Sequence, residues 1–443
     1  MTRCFQWMTD LEIVQGWAAI ENTDDIIVLM KEDSLGKLEM LFQEITPYFE
    51  KWQTEEGLQY CLEKTNAMFF PRGGRKCRSS QLRFNGTRIK FVDSMKYLGV
   101  TIDNKLTFAE HFKEINRRTN DILLFYKRSF TAHTLSFKSK IICEIYKNVA
   151  IPIIMYGIGC WGPRAGELCR IRMKLDTIQR SWCLAMTRCF RTVSTEVLCV
   201  LAGTPPLSLL YKTYYDKCLL RAGKLDFKLY GDNLITRYAY EKFNRLLIHP
   251  AYNIACSFDR DIPNISMYDI YTDGSGLDGR IGAAFVVYFY GIEILYEQYR
   301  LNSYNSVFQA ESCALEKDLQ YISFKIPRPS IVNVYSDCQS LLQILCCPVS
   351  TNFTVYNIKQ LYGEISDQID IKLHWVKVHV GHAGNERADV LAKEAALSNS
   401  SEYIEIPGSK KRANSVILEN CLDDWRFMWV SSERNKDHLR FIL

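Results

Sequence analysis

Residues 268–301 hold three consecutive strand-like runs, YDIYTDGS (268–275), GRIGAAFVVYFYG (279–291) and EILYEQYRL (293–301), joined by Gly-containing turns. Short runs this rich in aromatic and β-branched residues, joined this tightly, predict antiparallel pairing of neighbours. The pattern then alternates. QAESCALEKDLQYI (309–322) reads as a helix, IVNVYSD (331–337) as a strand and CQSLLQIL (338–345) as a helix. VYNIKQLYGEI (355–365) reads as a further helix, IKLHWVKVH (371–379) as a strand and NERADVLAKEAAL (385–397) as a closing helix. Three antiparallel strands followed by alternating strands and helices predict a mixed five-stranded sheet with helices packed on it, an α/β or α+β domain of about 130 residues.

The chain has 443 residues, too many for one ordinary core, so further domains precede this one. From Leu35 to Gln53, Leu38, Leu41, Phe42, Ile45, Tyr48 and Phe49 recur at helical spacing and predict one buried face. Asn85-Gly86, inside LRFNGTRIKF, predicts a hairpin, and SMKYLGVTI supplies further strands. From about residue 106 to 247 the pattern is helical, broken at Pro152 and at Pro205-Pro206. Residues 251–266 are polar and aperiodic and read as a linker. In the tail from Asn399, Val416, Leu418, Leu422, Trp425 and Trp429 predict one amphipathic helix. The expected division is therefore 1–105, 106–250, a linker at 251–266, 267–398, and a tail at 399–443.

Composition narrows the classes. Apolar residues are 47% and charged residues 24%, as in folded soluble domains. The net charge is only +5, but between Arg72 and Val92 seven basic residues stand without an acid. Such a stretch suits either a phosphate backbone or a solvated loop. Sixteen cysteines occur without one C-x-x-C pair, which argues against zinc ribbons and thioredoxin-type sites. With no secretory signal at the start, free thiols in a reducing intracellular compartment are expected. The longest uncharged apolar window, Asn148 to Pro163, is too short for a span, so no membrane partner is expected.

Four acids carry the chemistry. Asp273 stands near the end of the first strand, Glu311 near the start of the first helix, Asp337 at the end of IVNVYSD, and Asp389 inside the last helix. Each has an ordinary explanation alone: a turn for Asp273, a helix cap for Asp337, the helix dipole for Glu311, and an exposed helix acid for Asp389. Together they occupy strand ends and helix starts, which one rim of a sheet brings into proximity. Carboxylates gathered on one rim repel one another unless a cation neutralises them. Hard oxygen ligands without sulfur favour Mg²⁺ or Mn²⁺, and two such ions form a clamp for attack on a phosphodiester.

DIYTDGS, QAES, VYSD and WVKVHVGHAGNERADVLAK resemble, in order, the motif series of type 1 ribonuclease H, over about residues 267–398. The resemblance implies a ribonuclease H-like fold and a nuclease that cuts the RNA strand of RNA–DNA hybrids. It implies that Asp273, Glu311, Asp337 and Asp389 hold two Mg²⁺ ions, with Mn²⁺ as a substitute. His379, ten positions before Asp389, corresponds to the mobile histidine that activates water or releases product; His382 is the competing candidate. Gly274 and Ser275 are expected to let backbone approach the RNA. Gln309 and Gln339 are either partners of sugar hydroxyls or surface polar residues. Hybrid duplexes are read by shape, 2′-hydroxyls and phosphates.

A second resemblance covers most of residues 10–430. ENTDDIIVLM, LEKTNAMFF and MKYLGVTID are similar to the catalytic box, lysine motif and primer-grip hairpin of reverse transcriptases from non-LTR retrotransposons of the I and Jockey type. AIPIIMYGIGCWGP and LDTIQRSWCLAMTRCFRTVSTEVLCVLAGTPPL follow in that family's order. Residues 1–105 would then be part of a palm and 106–250 a helical thumb, whose Arg117, Arg118, Lys127, Arg128, Lys138 and Lys140 either track a duplex or form a solvated face. Asp24 and Asp25 are the residual polymerase box, with Asn22 where the family usually carries an aromatic residue. The fingers and the strand with the partner aspartate are not in this sequence, so a truncated polyprotein with nuclease but no polymerase activity is expected. The alternative is a remnant that binds nucleic acid without cutting it. Protein partners are not indicated.

Overall fold

The computed structural model describes residues 17–22, 25–57, 59–70, 82–129, 135–222, 224, 254–261, 267–348, 352–377, 381–406 and 408–432. They fall into two compact units, residues 1–225 with 417–443, and residues 226–416.

In the first unit, strand Trp17–Asn22 pairs antiparallel with Asp25–Met30, and the helix Leu35–Glu56 follows. Ser34 caps that helix by accepting from the Lys37 N–H, and Gly57 ends it in the left-handed conformation. Phe42 and Ile45 pack with Leu82, Phe84 and Ile89, with Phe49 at the margin. That seam is narrower than the stripe in the sequence, and it leaves Tyr48 exposed. Asn85-Gly86, both at positive φ, closes the expected hairpin between Arg83–Phe84 and Thr87–Arg88. A second hairpin, Ser94–Tyr97 with Val100–Asp103, turns at Leu98-Gly99.

Helices Ala109–Ser129, Leu135–Ile145, Ile158–Glu167, Cys169–Thr187, Thr195–Leu201 and Leu207–Ala222 build the rest of this unit. Val100 and Ile102 of the second hairpin share one core with Ile154, Trp161, Leu175 and Trp182, so that core extends N-terminal of residue 105. Pro152 lies in the short helix Ile151–Ile154, which follows a π-helical turn at Tyr146–Ala150. Beyond it the chain bends by 85° into the next helix. Pro205-Pro206 separates the last two helices. The tail forms the expected helix, Lys410–Ser431, whose Cys421 and Trp425 join this core. Leu418, expected to face inward, is exposed, and Ile417 is buried in its place. Among the described residues no single helix is long and apolar enough to cross a membrane.

The second unit contains, in chain order, β1 (Phe258–Asp259), β2 (Tyr268–Leu277), β3 (Arg280–Phe289), β4 (Ile292–Leu301), α1 (Val307–Lys325), β5 (Ile331–Ser336), α2 (Gln339–Cys346), α3 (Phe353–Ser366), β6 (Asp370–Trp375), α4 (Ala383–Leu397) and β7 (Glu402–Tyr403). The sheet order is β7-β4-β3-β2-β5-β6-β1. β2, β3 and β4 are antiparallel; β5 and β6 run parallel to β2. Tight turns at Asp278-Gly279 and Tyr290-Gly291, all four residues at positive φ, match the twist of the paired strands. One face packs Ile270, Phe285, Val287 and Val334 against Leu315 and Leu319 of α1 and Ile358 of α3. The other packs Ala284 and Val286 against Ala388, Leu391 and Ala392 of α4.

The sheet thus has seven strands where the sequence predicts five. The two additional strands lie at the edges and have two residues each, one in the stretch read as a linker and one in the tail. Two paired residues are too few to leave a periodic signature.

Candidate active site

The acids converge because of strand register. β2 and β5 run parallel with Thr272 opposite Ser336, so Asp273 and Asp337 follow side by side at the same end of the sheet. Glu311 arrives from above on α1. Gly274 permits that approach: a Cβ there would lie 2.3 Å from the Glu311 backbone nitrogen and 2.7 Å from the Ala310 carbonyl carbon. The structure therefore assigns this glycine a packing role. Ser275, next on β2, is half-buried.

Carboxylate oxygens of Asp273, Glu311 and Asp337 all lie within 4.8 Å of one another. Asp273 is 4% exposed and Glu311 5%. Asp273 Oδ2 and Glu311 Oε2 are buried with no hydrogen-bond partner. Buried polar atoms are nearly always paired, so unpaired carboxylate oxygens facing other carboxylates are met by a proton or by a cation. Their titration behaviour follows. Burial first, then the charges of Asp337 and Asp389, push Asp273 up to about 7, with Lys393 opposing. Burial, then Asp273, Cys338 and Asp337, hold Glu311 well above the usual carboxylate range, against the opposing pull of a Gly274 backbone hydrogen bond.

Asp389 occupies the rim. Its Oδ2 accepts from Lys393 Nζ at 2.6 Å, and it is not a member of the three-acid cluster. His379 lies outside the described residues. His382, the competing candidate, is the half-buried N-cap residue of α4 and makes no side-chain capping bond.

Gln309 differs from expectation. It is 5% exposed, neither a surface residue nor one open to a sugar hydroxyl. It completes a capping box: its N–H donates to Ser306 Oγ, and its Oε1 accepts from the Ser306 N–H at 3.1 Å. Gln339 is half-buried at the start of α2, and its N–H donates to the Asp337 carbonyl at 2.9 Å. In the first unit Asp24 lies outside the described residues. Asp25 opens a strand opposite Asn22.

Several neighbours escaped the reading of the sequence. Asn385, 4% exposed, donates its amide to Asp337 Oδ2 at 3.2 Å while its own Oδ1 stays buried and unpaired. Trp375 Nε1 donates to the Asp337 carbonyl at 3.1 Å. Asn385, Asp389 and Lys393 are spaced i, i+4, i+8, and that spacing is the signal that places them on one face of α4. Beneath the acids, Asp269 accepts from Tyr335 and Asn333, and Asn333 Oδ1 pairs with His374 Nε2. The Tyr335 ring stacks between Tyr271 and His374, tying β2, β5 and β6 together.

The RNase H family model matches residues 266–397, the stretch that carries all four acids. Residues 266–397 are an RNase H domain. Relatives of the wider chain come from non-LTR elements. It is 28% identical over 214 residues to the "Putative 115 kDa protein in type-1 retrotransposable element R1DM" of Drosophila melanogaster, covering 48% of this chain and 21% of that protein. It is 27% identical over 218 residues to the "Retrovirus-related Pol polyprotein from type-1 retrotransposable element R1 4" of Nasonia vitripennis, covering 45% and 54%. The "RNA-directed DNA polymerase from mobile element jockey" of Drosophila melanogaster is 30% identical over 161 residues, covering 35% and 17%. The chain thus spans about half or less of the length of these relatives.

Among solved structures, RNase H1 from the halophilic archaeon Halobacterium salinarum NRC-1 is 23% identical, with 29% of this chain and 96% of that one covered and a TM-score of 0.24. LC11-RNase H1 in complex with RNA/DNA hybrid is 19% identical, with 30% and 99% covered and a TM-score of 0.26.

Proposed function

We propose that this chain hydrolyses the RNA strand of RNA–DNA hybrids as part of a retrotransposon polyprotein. Asp273, Glu311, Asp337 and Asp389 hold two divalent cations, Mg²⁺ with Mn²⁺ as a substitute. The observation that carries this reading is the meeting of three acids within 4.8 Å, two of them with buried, unpaired oxygens. Bound there, the ions would neutralise the acids and supply an activated water and a counter-charge for the leaving oxygen.

The chain's own residues do the rest. Asp273 and Glu311, buried on a strand and a helix start, keep their carboxylates fixed, which suits ligands that must not relax. Asn385 orients Asp337 through its amide. His379 is proposed to carry a proton to or from the reacting water or departing group. Ser275 and Gln339, beside the cluster, are proposed to lie along the RNA sugar–phosphate backbone. In the first unit, the helix Ala109–Ser129 exposes Arg118, Lys127 and Arg128, while its Arg117 is paired with Glu114 and Asp121; the first three support electrostatic contact with nucleic acid.

The test is cleavage of an end-labelled RNA in a hybrid by the full chain with Mg²⁺. The expected result is endonucleolytic products that vanish with EDTA and fall by at least about 10³-fold in Asp273→Asn. Unchanged turnover in Asp273→Asn would contradict the ligand assignment. Salt-dependent hybrid binding without metal-dependent products would favour the reading of a binding remnant.

A further inference from the structure

A buried polar row crosses the sheet beneath the acids. Asp269 on β2, Asn333 on β5 and His374 on β6 are 6%, 2% and 3% exposed. Asn333 Nδ2 lies 3.3 Å from Asp269 Oδ1, and His374 Nε2 lies 3.2 Å from Asn333 Oδ1. At the far end His374 Nδ1 lies 3.0 Å from the backbone carbonyl of Asp261, in the exposed segment that follows β1. The row thus joins three strands to the stretch that reads as a linker.

The hydrogens along this row do not suffice. A carboxylate stands at one end and a carbonyl at the other, and neither donates. The asparagine amide carries hydrogen on its nitrogen only, so it donates to one neighbour and accepts from the other. A neutral imidazole has one N–H. Three hydrogen bonds therefore share two donors. Turning the Asn333 amide over moves the shortfall to Asp269 and does not remove it. Protonation of His374 removes it, because imidazolium donates through both nitrogens.

With the imidazole neutral, the shortfall falls where it costs least. Asp269 also accepts from Tyr335 at 3.1 Å, and two acceptors facing each other there or at Asn333 would be shut away from water. Asp261 is exposed, so water can replace the imidazole at its carbonyl. We propose that His374 is a proton-operated latch: neutral, it donates through Nε2 to Asn333 and leaves Asp261 to water; protonated, it donates through both nitrogens and fastens the segment 259–261 to β6. The latch stands whether or not the acids hold metal.

The groups around His374 set where the latch works. Asp259 lies opposite it in the β1–β6 register, Lys372 is two residues away on β6, and the Tyr335 ring stacks on the imidazole at 5.1 Å. The other side of β6, with Ile371 and Leu373, faces the apolar core. Burial, the largest influence, lowers the imidazole from its ordinary 6.5; the Asp261 carbonyl, Asp259 and Asp269 oppose it, and Lys372 adds to it. The latch therefore closes on the acid side of 6.5. The unfolded chain takes this proton more readily than the folded one, so overall stability falls over the same interval in which the segment tightens. Arg260 rides on that segment, 5.7 Å from the centre of the Trp375 ring, and Trp375 Nε1 donates to the Asp337 carbonyl.

The test is long-range proton–nitrogen NMR of the full chain carrying ¹⁵N-labelled histidine, from pH 8 to 4.5, with His374→Gln identifying the signal. The expected result is hydrogen on Nε2 alone at pH 8 and on both nitrogens at the acid end. Exchange of the amides of residues 258–261, corrected for the intrinsic effect of pH, should slow about threefold over that interval in the wild-type chain and not in His374→Gln. Asp259→Asn, at an exposed position, should move the His374 midpoint down by about 0.3 pH units. Circular dichroism checks the fold of each variant.

Hydrogen on Nδ1 at pH 8, an imidazole that keeps one form throughout, or exchange that slows equally in His374→Gln would overturn the latch. Should His374→Gln not fold, Asp259→Asn decides alone: if no histidine midpoint moves down, the latch is overturned as well.

Discussion

The two units place their acids differently. Along the helix Ala109–Ser129 of the first unit, Glu114 and Asp121 flank Arg117 in exposed pairs at 2.8 and 2.9 Å, the usual solution for a soluble helix. The RNase H unit instead buries Asp273, Glu311 and Asp318, and leaves oxygens of all three without hydrogen bonds. Where an acid only solubilises, it stays in water beside a partner. Where acids are gathered out of water, each stays charged only at a cost that a cation or a bound proton offsets.

The largest effect expected from perturbing this contrast is at Asn385. Asn385→Ala should loosen Asp337 and weaken Mn²⁺ binding about 10- to 100-fold without lowering the melting temperature of the first unit. Calorimetric titration checks it, and a change under twofold would mean that Asp337 needs no such support.

Asp318 sharpens the contrast further, because it is fully buried on α1, away from the cluster, with neither oxygen hydrogen-bonded. Burial holds its carboxyl well above the ordinary value. The folded chain then keeps a proton that the unfolded chain releases near pH 4, so its contribution is full below that pH and is lost as pH rises toward the folded value. Asp318→Asn should reduce the fall in stability of the RNase H unit by about 1 kcal/mol per pH unit over that window. Melting curves at matched metal concentration, from pH 4.5 to 8, measure it; parallel curves would contradict the assignment. The smallest effect lies in the first unit, where Arg117→Ala should cost under about 0.5 kcal/mol in denaturant unfolding despite its two ion pairs. A larger loss would mean that this surface is not the ordinary one described.

Much of the RNase H unit was legible in the sequence because its signals are local. Strand runs, Gly turns and acids at element ends each declare themselves within a few residues, and register then carries Asp273 to Asp337. What was illegible depends on how elements face one another. Asp318 reads as an ordinary helix acid until packing shows which face of α1 is buried. Asn385 and Lys393 acquire meaning only once α4 lies across β2 and β3. Gln309 is a different case: Ser306 and Gln309 spell a capping box, a local signal that the sequence carries in full. The edge strands Phe258–Asp259 and Glu402–Tyr403 carried no period to read.

The central claim is that acids far apart along the chain close around divalent cations. Crystals of the full chain soaked in MnCl₂ and measured at the manganese edge test it most directly. The account predicts an anomalous peak about 2.0–2.3 Å from oxygens of Asp273, Glu311 and Asp337, with a second beside Asp389. Well-ordered carboxylates with no peak between them would contradict it.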